Sequence, residues 1–208
     1  PTPYPMSSGI VHGPASVREL LLNGFTSKLL WFPVRSIYRN ELLRARRILF
    51  DTQIQKGEDM LFNLEVLTSA QGCAAVPDVY YLYRKHAASV TARPLTSESR
   101  NLRRLGDRVT QFLDKEEFPT AAADDFYRYL LTSDIPNALV RLLGSPNGAR
   151  EIRHLKAERH VHRALRDMRR LKPAAPRRVV LLLQALKFAH PQVITAVLAR
   201  ITRPARPQ

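Results

Sequence analysis

The sequence predicts a mixed α/β domain over residues 1–95, followed by an all-helical extension over residues 96–208. Three observations carry this expectation. Val34–Tyr38 and Val79–Tyr83 are rich in β-branched and aromatic residues, and each follows a proline break, as strands do. Between them, from Glu58 onward, Met60, Leu61, Leu64 and Leu67 recur at helical spacing. After Leu95 no segment has strand character.

The elements follow in order. Val17–Gly24 reads as the end of a helix, with Ser16 as its cap and Gly24 as its stop. Phe25 leads through extended chain, past Pro33, into the strand Val34–Tyr38. Asn40 caps a short helix over Glu41–Arg46. The helix that starts at Glu58 stops by Gly72, and Pro77-Asp78 separates it from the second strand. In the extension, Thr96 or Ser97 caps a helix through Leu102, Leu105, Val109 and Phe112, which ends at Phe118-Pro119. A second helix covers residues 121–143. A third, strongly basic, covers residues 149–171. Two short ones cover residues 177–189 and 192–202.

Composition narrows the class. With 208 residues, 45% hydrophobic and 25% charged, the chain has the make-up of a globular protein with a sizeable core. Cys73 is the single cysteine, so an intrachain disulfide and a multi-thiolate zinc site are both excluded; a reducing compartment, the cytoplasm, fits. Lys187, His190 and Pro191 interrupt the apolar run that begins at Val179, well short of the roughly 20 residues a membrane span requires. Pro1-Thr2-Pro3-Tyr4-Pro5 is neither signal peptide nor tag, and the chain reads as a fragment that has lost its front. The net charge of +15 is uneven. Residues 148–208 hold 15 basic and 3 acidic side chains, a block that suits an anionic partner or a solvated face.

Three segments could carry chemistry. In Lys56-Gly57-Glu58-Asp59-Met60-Leu61-Phe62-Asn63, two carboxylates sit in the first turn of a helix. Free backbone N–H groups and the positive end of the helix dipole favour their ionised form there, as a general base requires. Plain N-terminal capping accounts for the same pattern. In Tyr80-Tyr81-Leu82-Tyr83-Arg84-Lys85-His86-Ala87-Ala88-Ser89-Val90-Thr91, a strand runs into a basic loop. Arg84 offers a planar fork for phosphate oxygens, and His86 can meet a divalent metal or a phosphate. A solvated surface turn would look the same. Trp31-Phe32-Pro33-Val34-Arg35-Ser36-Ile37-Tyr38 reads first as a buried aromatic cluster, with Trp31, Phe32 and Ile37 in the core.

Taken in order, these segments resemble the second half of family-2 glycosyltransferases of the GT-A fold, the bacterial group that builds capsules, teichoic acids, exopolysaccharide and lipopolysaccharide. The family shows a Trp-containing strand, an aromatic-Arg-Arg-x-x-Leu-Leu stretch, a Gly-Glu-Asp-x-x-Phe-Asn segment and a Tyr-x-Tyr-Arg-x-His-x-x-Ser-Val/Ile-Thr segment. Tyr38-Arg39-Asn40-Glu41-Leu42-Leu43, Gly57 to Asn63 and Tyr81 to Thr91 match in that order, within a resemblance covering about residues 16–95. It implies that residues 1–95 are the C-terminal, acceptor-side part of a Rossmann-like GT-A domain. It implies transfer, with inversion, from a nucleotide-diphosphate sugar to a saccharide or polyol-phosphate acceptor in cell-surface polysaccharide synthesis. Asp59 would be the base, with Glu58 beside it. Arg84, His86, Ser89 and Thr91 would lie along the donor diphosphate, with His86 a contact to Mg²⁺ or Mn²⁺. The family's Asp-x-Asp metal motif occurs nowhere in the chain, and Trp31-Phe32-Pro33 stands where Trp-x-Lys is usual. By this reading the chain alone is incomplete and inactive.

The resemblance stops before the extension. Arg150, Arg153, Lys156, Arg159, Arg163, Arg166, Arg169 and Arg170 surround an apolar stripe, a pattern suited to peripheral contact with anionic lipid on the inner face of the plasma membrane. Two other readings compete. One is a non-catalytic helical assembly remnant. The other is a basic nucleic-acid-binding module, against which stands the absence of any aromatic residue for base stacking in residues 149–171.

Overall fold

The computed structural model describes residues 9–76, 81, 95, 97–142, 145–189 and 193–194. Among them lie β1 (Val11–His12), α1 (Pro14–Leu21), α2 (Asn40–Arg46), α3 (Glu58–Ser69), β2 (Cys73–Ala74), α4 (Glu98–Lys115), α5 (Thr120–Tyr129), α6 (Ile135–Leu142), α7 (Gly148–Ala157), α8 (Arg159–Leu171) and α9 (Arg177–Phe188). A 3₁₀ turn covers Pro33–Arg35, and a π-helical turn over Leu130–Asp134 joins α5 to α6.

The α/β expectation is overturned. The strands among the described residues are the two-residue β1 and β2, paired antiparallel through Val11–Ala74 and His12–Cys73. A Rossmann-like half-domain requires parallel strands linked by crossover helices. This ribbon is neither parallel nor wide enough, so the residues do not form the GT-A half-domain. The expected strand Val34–Tyr38 is instead the 3₁₀ turn followed by irregular chain. Pro33 starts the turn without an N–H to give, Phe32 before it is left-handed (φ 59°), and Ile37 stands 98% exposed. Strand propensity reflects fit to a half-buried pleated surface, and nothing pairs here to supply one. The second expected strand, Val79–Tyr83, falls outside the described residues except for Tyr81, which is not in a strand.

The chain divides into two compact units that interleave in sequence: residues 1–87 with 107–126, and residues 88–106 with 127–208. The division falls inside α4 and inside α5.

In the first unit α3 packs on α1 and α2. Val17 and Leu21 of α1 and Met60, Leu61 and Leu64 of α3 are buried, as are Phe25, Leu29 and Leu30 of the irregular chain after α1. α1 starts three residues before the sequence expectation, because Pro14 occupies the first turn where its missing N–H costs nothing. A second cluster joins Ile48, Phe62 and Val66 to Tyr38, Leu42 and Leu43. Asp125 of α5, fully buried, fastens the chain after α1: it accepts the N–H groups of Phe25 (2.9 Å) and Thr26 (3.2 Å) and the Thr26 hydroxyl. The Phe25 and Phe126 rings meet at 5.2 Å.

In the second unit α8 packs against α7, α9 and the π turn, around Leu131, Ile135, Leu139, Leu155, Val161, Leu165 and Leu183. The expected helix 149–171 is broken at Glu158. Its extended backbone (φ −68°, ψ 133°) lets the side chain turn back and cap α8, accepting from the N–H groups of His160 (2.8 Å) and Val161 (3.1 Å). Glu98 and Arg141 form a two-pronged ion pair at 2.6 and 2.7 Å.

Candidate functional site

The start of α3 is built around a glycine. Gly57 adopts φ +92°, a left-handed conformation that costs a residue with a Cβ about 1–2 kcal/mol. That turn sets Glu58 and Asp59 in the first turn of α3. Asp59 Oδ1 accepts the N–H of Met60 at 2.8 Å, and the backbone N–H of Phe32 lies near enough to favour the charged carboxylate. The left-handed kink at Phe32 thus has a visible use. It turns a main-chain donor toward the candidate base.

The Trp31–Leu43 and Gly57–Asn63 segments, separate in sequence, meet here. Asn63, 4% exposed, donates its amide to the Leu30 carbonyl at 2.9 Å and accepts the Tyr38 hydroxyl at 2.7 Å. Tyr38 also reaches the Pro33 carbonyl at 3.2 Å, and Trp31 Nε1 reaches the Phe25 carbonyl at 3.4 Å. Phe62 stacks on Phe50 at 4.2 Å and meets the edge of Tyr38 at 5.3 Å. The Phe-Asn pair that closes the motif is therefore a clamp: Phe62 holds the aromatic side and Asn63 holds the main chain that delivers Phe32 to Asp59. The motif pattern alone gives Asn63 and Tyr38 no role. An amide on the buried side of an amphipathic helix was the available signal, since such a group must find partners.

The electrostatics differ from the sequence expectation. Burial pushes the Asp59 carboxyl above its ordinary range and outweighs the hydrogen bonds from Met60, Phe32 and its own N–H, which pull it down. Glu58 is raised as well, first by burial and then by the neighbouring Asp59 charge. The helix start does not win over desolvation. A carboxylate so raised is the stronger proton acceptor once ionised.

Not every expected partner is in place. Arg84, His86, Ser89 and Thr91 lie outside the described residues. Of the three residues expected in the aromatic core, Trp31 is partly buried, Phe32 is 37% exposed, and Ile37 is the outlier already noted. Phe32, Val34 and Ile37, at and just after the point nearest Asp59, face solvent. Among the described residues no three His, Cys, Asp or Glu side chains converge on one point. A cavity of about 620 Å³ in the first unit, bordered by Glu65, Thr68, Gln71 and Arg108, sits at the far end of α3, about 15 Å of helix from Asp59. No helix of the described residues is long and apolar enough to cross a membrane.

No family model matches the chain, and no solved structure matches it. Among curated proteins, the chain is similar to the uncharacterized glycosyltransferase EpsJ of Bacillus subtilis (strain 168), with 26% identity over 136 residues. The match covers 65% of this chain and 40% of that protein. The chain is thus a distant relative of a glycosyltransferase and spans well under two thirds of its length.

Proposed function

We propose that the chain carries the acceptor-side part of an inverting, nucleotide-sugar-dependent glycosyltransferase of family 2, with Asp59 as its general base. The observation that carries this reading is the setting of Asp59: a half-buried, basicity-raised carboxylate at a helix start, held by the Met60 N–H and with the Phe32 N–H favouring its charged form. The likeness to EpsJ and the ordered motifs support it.

In the proposed reaction an acceptor hydroxyl attacks the anomeric carbon of the donor. The new carbon–oxygen bond forms as the bond to the nucleoside diphosphate breaks on the opposite face, which inverts the centre. Asp59 takes the hydroxyl proton, and the diphosphate leaves with the bonding pair. The Phe32 and Met60 N–H groups hold the carboxylate in place, an arrangement that needs little reorganisation in the transition state. Glu58 orients the acceptor. We assign Arg84, His86, Ser89 and Thr91 to the diphosphate by motif position alone, with His86 as a contact to Mg²⁺ or Mn²⁺. The acceptor class is a saccharide or polyol phosphate of cell-surface polysaccharide. The basic helices suit work in the cytoplasm at the inner face of the plasma membrane.

The test uses the intact gene product. Asp59→Asn should lower kcat by at least a hundredfold while leaving donor binding within about twofold, because it keeps the acceptor oxygen for Phe32 and Met60 but removes the base. In the parent, the acid limb of the pH–rate profile should lie above the ordinary aspartate range, since burial raises Asp59. A variant that retains activity would remove Asp59 from the base role.

A further inference from the structure

The second unit contains a groove of about 760 Å³ whose walls come from three helices. α7 contributes Arg150, Arg153 and His154, which share one helical face by their spacing. α4 contributes Ser99 and, one turn on, Arg103. The start of α8 contributes Arg159 and Glu158. Four arginines therefore line one concavity. Arg103, Arg150 and Arg153 make no ion pair among the described residues. The contrast with Arg141 is direct, since that arginine is fully engaged by Glu98.

The single acid on this groove refines the ligand. Glu158 Oε2 is committed to the α8 cap. Its other oxygen, Oε1, is buried and has no hydrogen-bond partner. A buried carboxylate oxygen without a donor is costly, and relief requires an O–H or N–H from outside. A bare polyanion would satisfy the arginines but repel Glu158. A ligand with a phosphate and free hydroxyls satisfies both: the guanidinium forks take the phosphate oxygens, and Glu158 Oε1 accepts a hydroxyl. Ser99 supplies a further polar contact.

We infer that this groove is a binding site for phosphate esters that carry free hydroxyl groups. The inference stands apart from the glycosyl-transfer reading and does not use Asp59. Such a ligand comes from two sources, a soluble phosphorylated polyol or the headgroup of a hydroxylated anionic lipid, and the experiment separates them.

The full chain is titrated with glycerol 3-phosphate by calorimetry and, separately, sedimented with phosphatidylcholine vesicles that do or do not contain phosphatidylglycerol. Binding of glycerol 3-phosphate assigns a soluble ligand. Binding to phosphatidylglycerol vesicles alone assigns a headgroup, and either result supports the site. R150Q/R153Q should weaken the interaction at least tenfold. R177Q/R178Q removes equal charge from exposed positions outside the groove and should change it less than twofold. E158Q keeps an oxygen for the α8 cap, and it should narrow the preference for glycerol 3-phosphate over inorganic phosphate, or for phosphatidylglycerol over phosphatidic acid. Circular dichroism confirms that each variant is folded. Binding of neither probe would overturn the inference. So would equal weakening by the two arginine pairs, which would mean diffuse charge and no built site.

Discussion

Asp59, the proposed base, comes at a cost to the fold. Its carboxyl is raised by burial above the ordinary value of 3.8, so the folded chain holds the proton more readily than the unfolded chain. The stability this contributes is full below the ordinary value and is lost as pH rises through the folded one; at neutral pH the ionised group is a burden. Asp59→Asn should therefore be more stable than the parent at pH 7, and the gap should close as pH falls toward 4. Urea unfolding across that range measures it, and a variant less stable at pH 7 would show that the two N–H contacts outweigh desolvation. Such an exchange of stability for function is what the proposed role of Asp59 as base predicts. Asn63 is the opposite case, a buried polar group fully engaged by Leu30 and Tyr38, whose role is to hold the loop in register.

At the scale of elements, a buried ion pair ties α4 to α6 in the second unit. Glu98 is 2% exposed at the start of α4 and meets Arg141 of α6, whose side chain is 18% exposed. Breaking such a pair on one side strands the other charge. Arg141→Ala should destabilise the chain by about 3–5 kcal/mol, while the paired change Glu98→Leu with Arg141→Leu should recover most of the loss. Chemical denaturation of the two variants checks this; equal losses would point to packing instead. The same unit shows why α7 and α8 are two helices. Glu158 satisfies the first N–H groups of α8 with its own side chain, and that costs the continuity of the basic helix but turns Arg159 toward the groove lining.

At the scale of the whole molecule, compactness does not follow the order of the chain. The first unit takes Val109, Leu113, Asp125 and Phe126 from the helical stretch that follows residue 95. Without them Phe25 and Thr26 lose their carboxylate, and the core around α1 and α3 loses one wall. A polypeptide ending at residue 95 should therefore show no cooperative thermal transition by circular dichroism; a cooperative melt would show that α1, α2 and α3 suffice. Charge is also a property at this scale. With a net charge of +15, any binding of anions outside a built site will fade steeply with salt, and the groove is distinguished by residue-specific loss.

The sequence by itself marked where α3 and α4 lie and singled out the candidate base. Apolar spacing at three and four residues is a local signal, so α3 and α4 are legible, and the acids after Gly57 mark where α3 begins. The strands were not legible, because a strand is defined by a partner far along the chain; Val34–Tyr38 had the composition and lacked the partner. Tertiary structure alone decided the rest. It brought the Phe32 N–H near Asp59, closed Asn63 on Leu30 and Tyr38, and desolvated the half-buried Asp59 enough to reverse the expected direction of its titration. It also set Arg103, from outside the basic block, beside Arg150 and Arg153. Burial and convergence depend on contacts between distant residues, and no local pattern encodes them.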